Sequence, residues 1–273
     1  MPLEYPRMQG ATPRSRLRRA RFLAKCGATR STYARYHRNR HSQSPTHTTY
    51  PLAGPKTMKN VDQTRLLVDA LRHSFPTRPR RGFASWSVPP LNVLDCVLSL
   101  NRKYDSFCRP RVEQFAIQHP EVDTLSRLLR LISGYSTPLE FSIRELNYRD
   151  EERAATLIGV TTYLLKAQKR FDGSSETSRL RQWAKSVTPR DFEALDVRGF
   201  GLSGFQYLRM LFRAQAAKPD VHIRRFVSEA VGHAVGDVQA LTLLEAAAGH
   251  LGWPLLALDN KIWEQRARGR GVK

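Results

Sequence analysis

The chain has 273 residues, which is enough for one large domain or two modest ones with a real hydrophobic core. Its 45 lysines and arginines against 24 acidic residues give a net charge of +21, which favours polyanionic partners, nucleic acid first and an anionic membrane second. No apolar run approaches the length needed to cross a bilayer, and the arginine-rich start never gives way to the apolar core of a signal peptide, so we expect no membrane partner.

The first 57 residues carry ten arginines and two lysines against one acid, Glu4, and they contain few large aliphatic side chains. Such a segment cannot bury enough apolar area to offset the entropy lost on ordering, so we predict a disordered basic arm over residues 1–57. The arm could add nonspecific affinity for nucleic acid, or it could be an arginine-rich organelle transit peptide. A third alternative is that the natural start is Met58, where a plausible helix begins.

From Met58 onward the apolar residues recur with helical spacing, and a linker containing Pro, Arg, Gly and Trp interrupts them over residues 76–90. Pro89 and Pro90 open a strongly apolar helix, whereas residues 154–167 are apolar nearly all round, so we expect that helix to be central. The predicted helices cover residues 61–75, 91–100, 112–117, 125–132, 154–167, 183–187, 207–212, 223–231, 238–251 and 255–263. With no convincing strand and no internal repeat, the sequence predicts an all-α chain.

Three glycines, Gly199, Gly201 and Gly204, have the Gly-x-Gly-x-x-Gly spacing of dinucleotide-binding folds. That spacing indicates a dinucleotide-binding fold only where it follows a buried strand. Here Thr188 and Pro189 indicate the start of a helix, and no β-branched run precedes the glycines, so the context does not fit. The glycines therefore predict a tight turn before an apolar helix, whose backbone N–H groups would form an anion site, with positive φ and close ligand approach at Gly199 and Gly201. An ordinary corner between two helices, with glycines for packing, is the alternative.

An aspartate, Asp220, follows the next helix in a Pro-Asp-x-His-x-x-Arg setting. The glycine turn and this aspartate together resemble the DNA-binding hairpin and the catalytic aspartate of the helix-hairpin-helix DNA glycosylases, the endonuclease III-like superfamily. The resemblance covers about residues 90–265 and is strongest over residues 195–226. It implies an all-α fold in two parts, with a DNA cleft between a helical barrel and a part built from both ends of the folded region.

The composition and the resemblance together divide the chain into four segments. We expect a basic arm over 1–57, an N-terminal helix and linker over 58–90 that pack on the C-terminal part, a helical barrel over 91–218 that ends in the helix-hairpin-helix, and a C-terminal helical part over 219–273. We also expect a monomer. Three cysteines without disulfide spacing fit a cytoplasmic protein, associated with the nucleoid if bacterial, with organelle targeting by the arm as the less favoured alternative.

The resemblance assigns a role to each residue of the 195–226 stretch. Asp220 would be catalytic, because a carboxylate can stabilise the oxocarbenium-like sugar formed when an N-glycosidic bond breaks and can orient water. The same side chain could cap the helix that starts at the next residue, and the two roles are compatible. Ser203 stands where strand-cleaving members of the family carry a lysine nucleophile, so we expect water as the nucleophile and no lyase activity. Contacts with DNA are expected from Gly199, Gly201 and Ser203.

Residues 97–105 resemble the end of an early helix in the same family, where an amide fills the gap left by a flipped base. Asn101 matches the position of that amide with a shorter side chain, and Arg102 and Lys103 would suit DNA phosphates. A helix end with solvated charges explains these three residues equally well. The DNA-binding role of this segment is therefore an expectation with a structural alternative.

Cofactors and metals are not expected. The four-cysteine iron–sulfur loop of endonuclease III has no counterpart here, and neither His222 nor His233 lies in a metal-ligand spacing. Near the end, residues 257–263 resemble the Leu-Asp-x-x-Ile/Leu-Trp segment of several family members, which we interpret as packing.

The sequence therefore predicts a monofunctional DNA N-glycosylase of the base-excision-repair type, which acts on a damaged or mismatched base flipped out of duplex DNA. Two other classes stay open. Ser203, the shortened Asn101 and the missing cluster favour a non-catalytic helix-hairpin-helix DNA-binding protein. A basic interaction or ribonucleoprotein factor would use residues 1–57 in place of the glycine turn.

Overall fold

The computed structural model describes the backbone of residues 56–80 and 83–268 and the side chains of 61–80 and 83–266, so residues 1–55 of the predicted arm lie outside it. Every regular element within these residues is helical and none is a strand, which confirms the all-α prediction. Eleven α-helices follow one another in the described ranges: α1 Lys56–Ser74, α2 Pro89–Ser99, α3 Arg109–Gln118, α4 Leu125–Ile132, α5 Pro138–Leu146, α6 Glu151–Ala167, α7 Glu176–Ser186, α8 Leu202–Leu211, α9 Val221–Val231, α10 Asp237–Leu251 and α11 Leu255–Arg268. None of them alone is long and apolar enough to span a membrane, and only the pair α10 and α11, bent by 114°, meets that length and composition together.

Polar side chains and glycines set where these helices begin and end. The N-cap residues of four successive helices, α4 to α7, accept a hydrogen bond from a backbone N–H of the first turn: Thr124, Thr137, Asp150 and Ser175. At the C-terminal end of α10, Gly252 adopts the left-handed conformation with φ of 62°, which is common where a helix ends.

The first hydrophobic core is built from residues 91–216, with Leu256 of α11 added. Helix α6 packs against α2, α4 and α5 within it, so the prediction that residues 154–167 are central is confirmed. Trp183 of α7 lies against the rings of Phe205 and Phe212, and the linker before α2 packs on this core through Phe83 and Trp86.

The second hydrophobic core joins the two ends of the folded region. Helix α1 packs against α9 and α10, and α9 packs against α11, so residues 67–75 share a core with residues 217–262. The chain passes from the first core to the second between Ala216 and Ala217. The residues directly before Asp220 therefore lie where the two cores meet.

Three helical elements were not predicted from the sequence: α5, a π-helical turn at Tyr104–Cys108 and a 3-10 turn at Gln168–Arg170. The start signals of α5 are nevertheless present, since Thr137 caps it and Glu140 accepts a hydrogen bond from Ser136 N. Pro189–Leu195 forms a 3-10 helix, preceded by the helix start that the sequence indicated at Thr188.

Candidate functional site

The glycine turn runs from Val197 to Gly201 and leads directly into α8. Phe200 N donates to Val197 O at 3.1 Å and closes the turn, and Gly199 has φ of +76°, a conformation that favours glycine. Gly201 is the N-cap of α8, with φ of −92° and ψ of −177°. This is extended backbone open to any residue, so the expectation of positive φ is confirmed at Gly199 and wrong at Gly201.

The environments of Gly201 and Gly204 differ. A Cβ atom added to Gly201 would meet no atom within 4 Å, so this backbone is open to a ligand. A Cβ atom added to Gly204 would lie 2.9 Å from Phe200 Cε2 and 3.1 Å from Leu100 Cδ2, so that glycine is required for packing. No side chain caps α8, so the N–H groups of its first turn have no capping side chain among the described residues.

Asp220 is the N-cap of α9. Its Oδ1 accepts hydrogen bonds from His222 N at 2.8 Å and from Ile223 N at 3.2 Å, so the capping role is confirmed. Its Oδ2 accepts no hydrogen bond from the residues that the structure describes. One oxygen of this half-buried carboxyl group therefore holds the helix, and the other can meet a ligand.

The backbone directly before Asp220 is held by side chains of α8 and α11. Three hydrogen bonds do this: Gln206 Nε2 donates to Ala217 O (3.3 Å), Asp259 Oδ1 accepts from Lys218 N (2.7 Å) and Ser203 Oγ donates to Pro219 O (2.9 Å). Asp220 N also donates to Lys218 O at 2.7 Å, which closes a three-residue turn. The helix that follows the glycine turn is therefore tied to the segment that carries the aspartate.

The start of α6 connects the glycine turn to the segment that follows α2. Thr156 Oγ1 donates to Arg198 O at 2.9 Å within the glycine turn. Three residues earlier on α6, Arg153 Nη2 donates to Leu100 O at 3.3 Å. The turn that holds Asn101 and the glycine turn thus contact the same end of the same helix.

Asn101, Arg102 and Lys103 are all exposed. Asn101 is in the left-handed region with φ of 57°, where asparagine is better tolerated than most residues. The guanidinium of Arg102 lies 5.8 Å from the centroid of the Phe107 ring and 5.7 Å from that of Tyr148. The exposed cations Arg102 and Lys103 therefore lie beside half-buried aromatic rings, in the turn that follows α2.

A buried carboxylate on α2 collects three hydrogen bonds at the same junction. Asp95 Oδ2 accepts from Trp86 Nε1 at 2.7 Å and from Tyr104 OH at 2.8 Å, and its Oδ1 accepts from Tyr207 OH at 2.8 Å. Burial raises the pKa of Asp95, and these three donors and the charge of Lys218 oppose the rise. The carboxylate thus links the linker before α2, the π-helical turn and α8.

Asp259 is the second buried carboxyl group near the aspartate. Its side chain is on α11, and burial raises its pKa to about 8, while the hydrogen bond from Lys218 N opposes the rise and the negative charge of Asp220 adds to it. Asp259 therefore holds its proton to a higher pH than an exposed aspartate does.

The structure brings Gly199, Gly201, Ser203 and Asp220 into one hydrogen-bonded region and connects the turn of residues 101–103 to it through α6. Sequence reasoning did not assign the residues that hold this region together: Asp95, Gln206, Tyr207, Lys218 and Asp259. A signal for Asp95 was present, since it is the single carboxyl group of the apolar helix α2, and a buried carboxyl group needs partners.

Other parts of the described chain offer less for chemistry. A surface pocket of about 510 Å³ lies between residues 124–126 and 165–179 and includes none of the predicted site residues. Glu176 in that pocket already accepts hydrogen bonds from Leu125 N and Gln168 Nε2. Among the described residues, no group of three or more His, Cys, Asp or Glu side chains could hold a metal ion.

The fold and the site define an all-helical protein in which a glycine turn, an uncapped helix start and a helix-capping aspartate are tied together. A family model matches residues 65–267, and the chain belongs to this family, described as a domain of unknown function (DUF8548). No curated protein and no solved structure gave a significant match.

Proposed function

We propose that the protein is a monofunctional DNA N-glycosylase of the helix-hairpin-helix type, which removes a damaged or mismatched base flipped out of duplex DNA. The observation that carries the proposal is the bond from Ser203 Oγ to Pro219 O, because it ties the start of α8 to the residue before Asp220. An enzyme that holds a phosphate and acts on a nearby sugar needs an anion site and a carboxylate at a set separation.

The glycine turn supplies the anion site in this proposal. The unobstructed backbone of Gly201 lets a phosphate approach closely, and the uncapped N–H groups of α8 and its helix dipole favour negative charge there. Phosphate contacts of this kind position a duplex without recognising its sequence. Exposed Arg102 and Lys103 add positive charge in the neighbouring turn.

Asp220 supplies the chemistry in this proposal. As the bond from C1′ to the base nitrogen breaks, the base leaves with the electron pair and the sugar gains oxocarbenium character, which the negative Oδ2 of Asp220 stabilises. Water then adds to C1′, and its proton is taken up by the departed base, which leaves a neutral free base and an abasic site. Ser203 carries no amine and its hydroxyl donates to Pro219 O, which supports water as the nucleophile.

The second candidate is a non-catalytic helix-hairpin-helix DNA-binding protein. It is favoured by the partners of Asp220 and Ser203, since a helix cap and a backbone hydrogen bond explain both residues without any reaction. The two candidates differ in whether the Oδ2 atom of Asp220 stabilises a reacting sugar.

Base release by the full chain tests the proposal. Duplexes that carry uracil, an alkylated base, an oxidised base or a mismatch would be incubated with excess protein, and half of each sample would be treated with alkali. We expect strand breaks at one lesion class after alkali only, because a monofunctional enzyme leaves the abasic strand intact. Breaks without alkali would overturn the monofunctional assignment, and tight binding without any product would support the second candidate.

A further inference from the structure

Lys218, two residues before Asp220, is a half-buried lysine with free hydrogen-bond donors. Its Nζ lies 4.5 Å from the centroid of the Tyr207 ring. The ammonium forms no hydrogen bond or ion pair with any residue that the structure describes. The ammonium is not among the buried side-chain nitrogens of the described residues that lack a partner, so it meets solvent. Its three N–H donors are therefore open to a ligand that supplies acceptors.

The position of this ammonium is set by α8 and by Asp95. Tyr207 OH donates to the Asp95 carboxylate, which makes the ring face more attractive to a cation, and the charge of Asp95 attracts the ammonium directly. Tyr207 lies one helical turn after Ser203, so both side chains project from one face of α8. The helix that begins at the glycine turn therefore orients both Lys218 and Pro219.

We infer that Lys218 determines specificity by donating hydrogen bonds to a carbonyl oxygen of the flipped-out base, an inference that rests on the proposed glycosylase function. In that function Asp220 acts at C1′ of the sugar, where the base is attached. The three-residue turn keeps Lys218 within about 7 Å of Asp220 along the backbone, comparable to the width of a base. In this inference the ammonium contacts the edge of the base that is remote from the sugar.

The charge of Lys218 defines the class of base. Oxidised and deaminated bases such as 8-oxoguanine, hypoxanthine and uracil are neutral and present carbonyl oxygens, which accept charge-assisted hydrogen bonds from an ammonium. A cationic alkylated base would meet a like charge, and a neutral base without a carbonyl oxygen would leave the ammonium unpaired. Among damaged bases, we therefore expect oxidised or deaminated ones as substrates.

Binding to uncleavable duplexes tests this inference apart from chemistry. The full chain would be titrated against duplexes whose 2′-fluoro sugar blocks cleavage, carrying 8-oxoguanine, hypoxanthine, uracil, cationic N7-methylguanine, neutral ethenoadenine or no lesion. We expect at least one of the duplexes with 8-oxoguanine, hypoxanthine or uracil to bind about tenfold or more tightly than those with N7-methylguanine, ethenoadenine or no lesion. Lys218→Met should abolish this preference, Lys218→Arg should retain part of it, and Lys185→Met, which removes an exposed lysine on α7, should keep all of it.

Two results would overturn the inference. One is a wild-type chain without preference for any of the first three lesions. The other is a Lys218→Met variant whose affinity falls by the same factor for every duplex. If its slope of log affinity against log salt also falls by about one, Lys218 behaves as a phosphate contact. A preference that depends on Lys218 without release of any base from cleavable duplexes would instead overturn the glycosylase proposal and leave the assignment of the lysine standing.

Discussion

At the scale of single residues, the site uses short polar side chains to hold backbone. Asp220 caps α9 with one oxygen, and the hydroxyl of Ser203 donates a hydrogen bond to Pro219 O. Both side chains were assigned to DNA or to its chemistry from the sequence, and the structure adds an intramolecular partner for each. Tests of substitutions at these positions therefore have to distinguish a loss of fold stability from a loss of base release.

Ser203→Ala separates support from nucleophilic attack. Losing the hydrogen bond to Pro219 O should lower the free energy of unfolding by about 0.5–1.5 kcal/mol. Base release should slow but persist, because water is the proposed nucleophile. Urea unfolding and single-turnover excision measure the two effects, and complete loss of excision in a folded variant would contradict the supporting role.

Asp259→Asn tests the buried carboxyl group through pH. Because burial raises the pKa of Asp259 to about 8, the folded protein keeps a proton that the unfolded chain releases near pH 4. The contribution of Asp259 to stability therefore falls as pH rises from about 4 to 8, by up to about 1.4 kcal/mol per pH unit, and is level above that range. Asparagine keeps an oxygen for Lys218 N and does not ionise.

The free energy of unfolding of the Asp259→Asn variant should therefore increase relative to that of the wild type as pH rises from 5 to 8. Urea unfolding of both proteins at each pH unit measures the difference. Parallel pH profiles for the two proteins would contradict the raised pKa.

At the scale of elements, the glycine turn and α8 define the site. The three glycines differ in whether a larger side chain fits at their positions. Gly201→Leu places its side chain in open space from an ordinary backbone conformation, so the fold should persist. The same side chain should block close approach of a phosphate and weaken duplex binding by about tenfold or more. Fluorescence anisotropy measures the binding, with thermal unfolding as the check on folding.

Gly204→Leu is the matched control within the same helix. It forces a side chain against Phe200 and Leu100, so it should lower the melting temperature markedly. A Gly201→Leu variant that folds and binds a duplex as tightly as the wild type would contradict the anion site at the turn.

The elements also show how far sequence reasoning extends. Helical periodicity predicted α4, α9 and α10, and Asp220 was recognised as a possible cap of α9, because these signals lie within a few residues of each other. The same kinds of signal are present in α5, which has four large apolar residues in nine and the N-cap Thr137, but the sequence interpretation did not use them. The Asp95 cluster was out of reach, since its partner Tyr207 lies 112 residues away in the chain.

At the scale of the whole molecule, the charge predicts how binding responds to salt. A chain with a net charge of +21 that neutralises phosphates should bind a duplex with a steep linear fall of log affinity against log salt. Removing residues 1–57 should reduce the slope, because twelve basic residues are lost, and should leave binding that still depends on Gly201. Anisotropy titrations from low to physiological salt measure both slopes. If all affinity disappears with the arm, a tail-driven interaction factor is favoured.

In the proposed function Asp220 acts on the sugar while the start of α8 holds the DNA. Single-turnover base release by the wild type and the Asp220→Asn variant, with duplex binding recorded beside it, separates these two roles. Asparagine caps helices as well as aspartate does, so we expect an intact fold and intact binding, with base release slowed by about a hundredfold or more. Base release at the wild-type rate in the variant would contradict the catalytic role of Asp220.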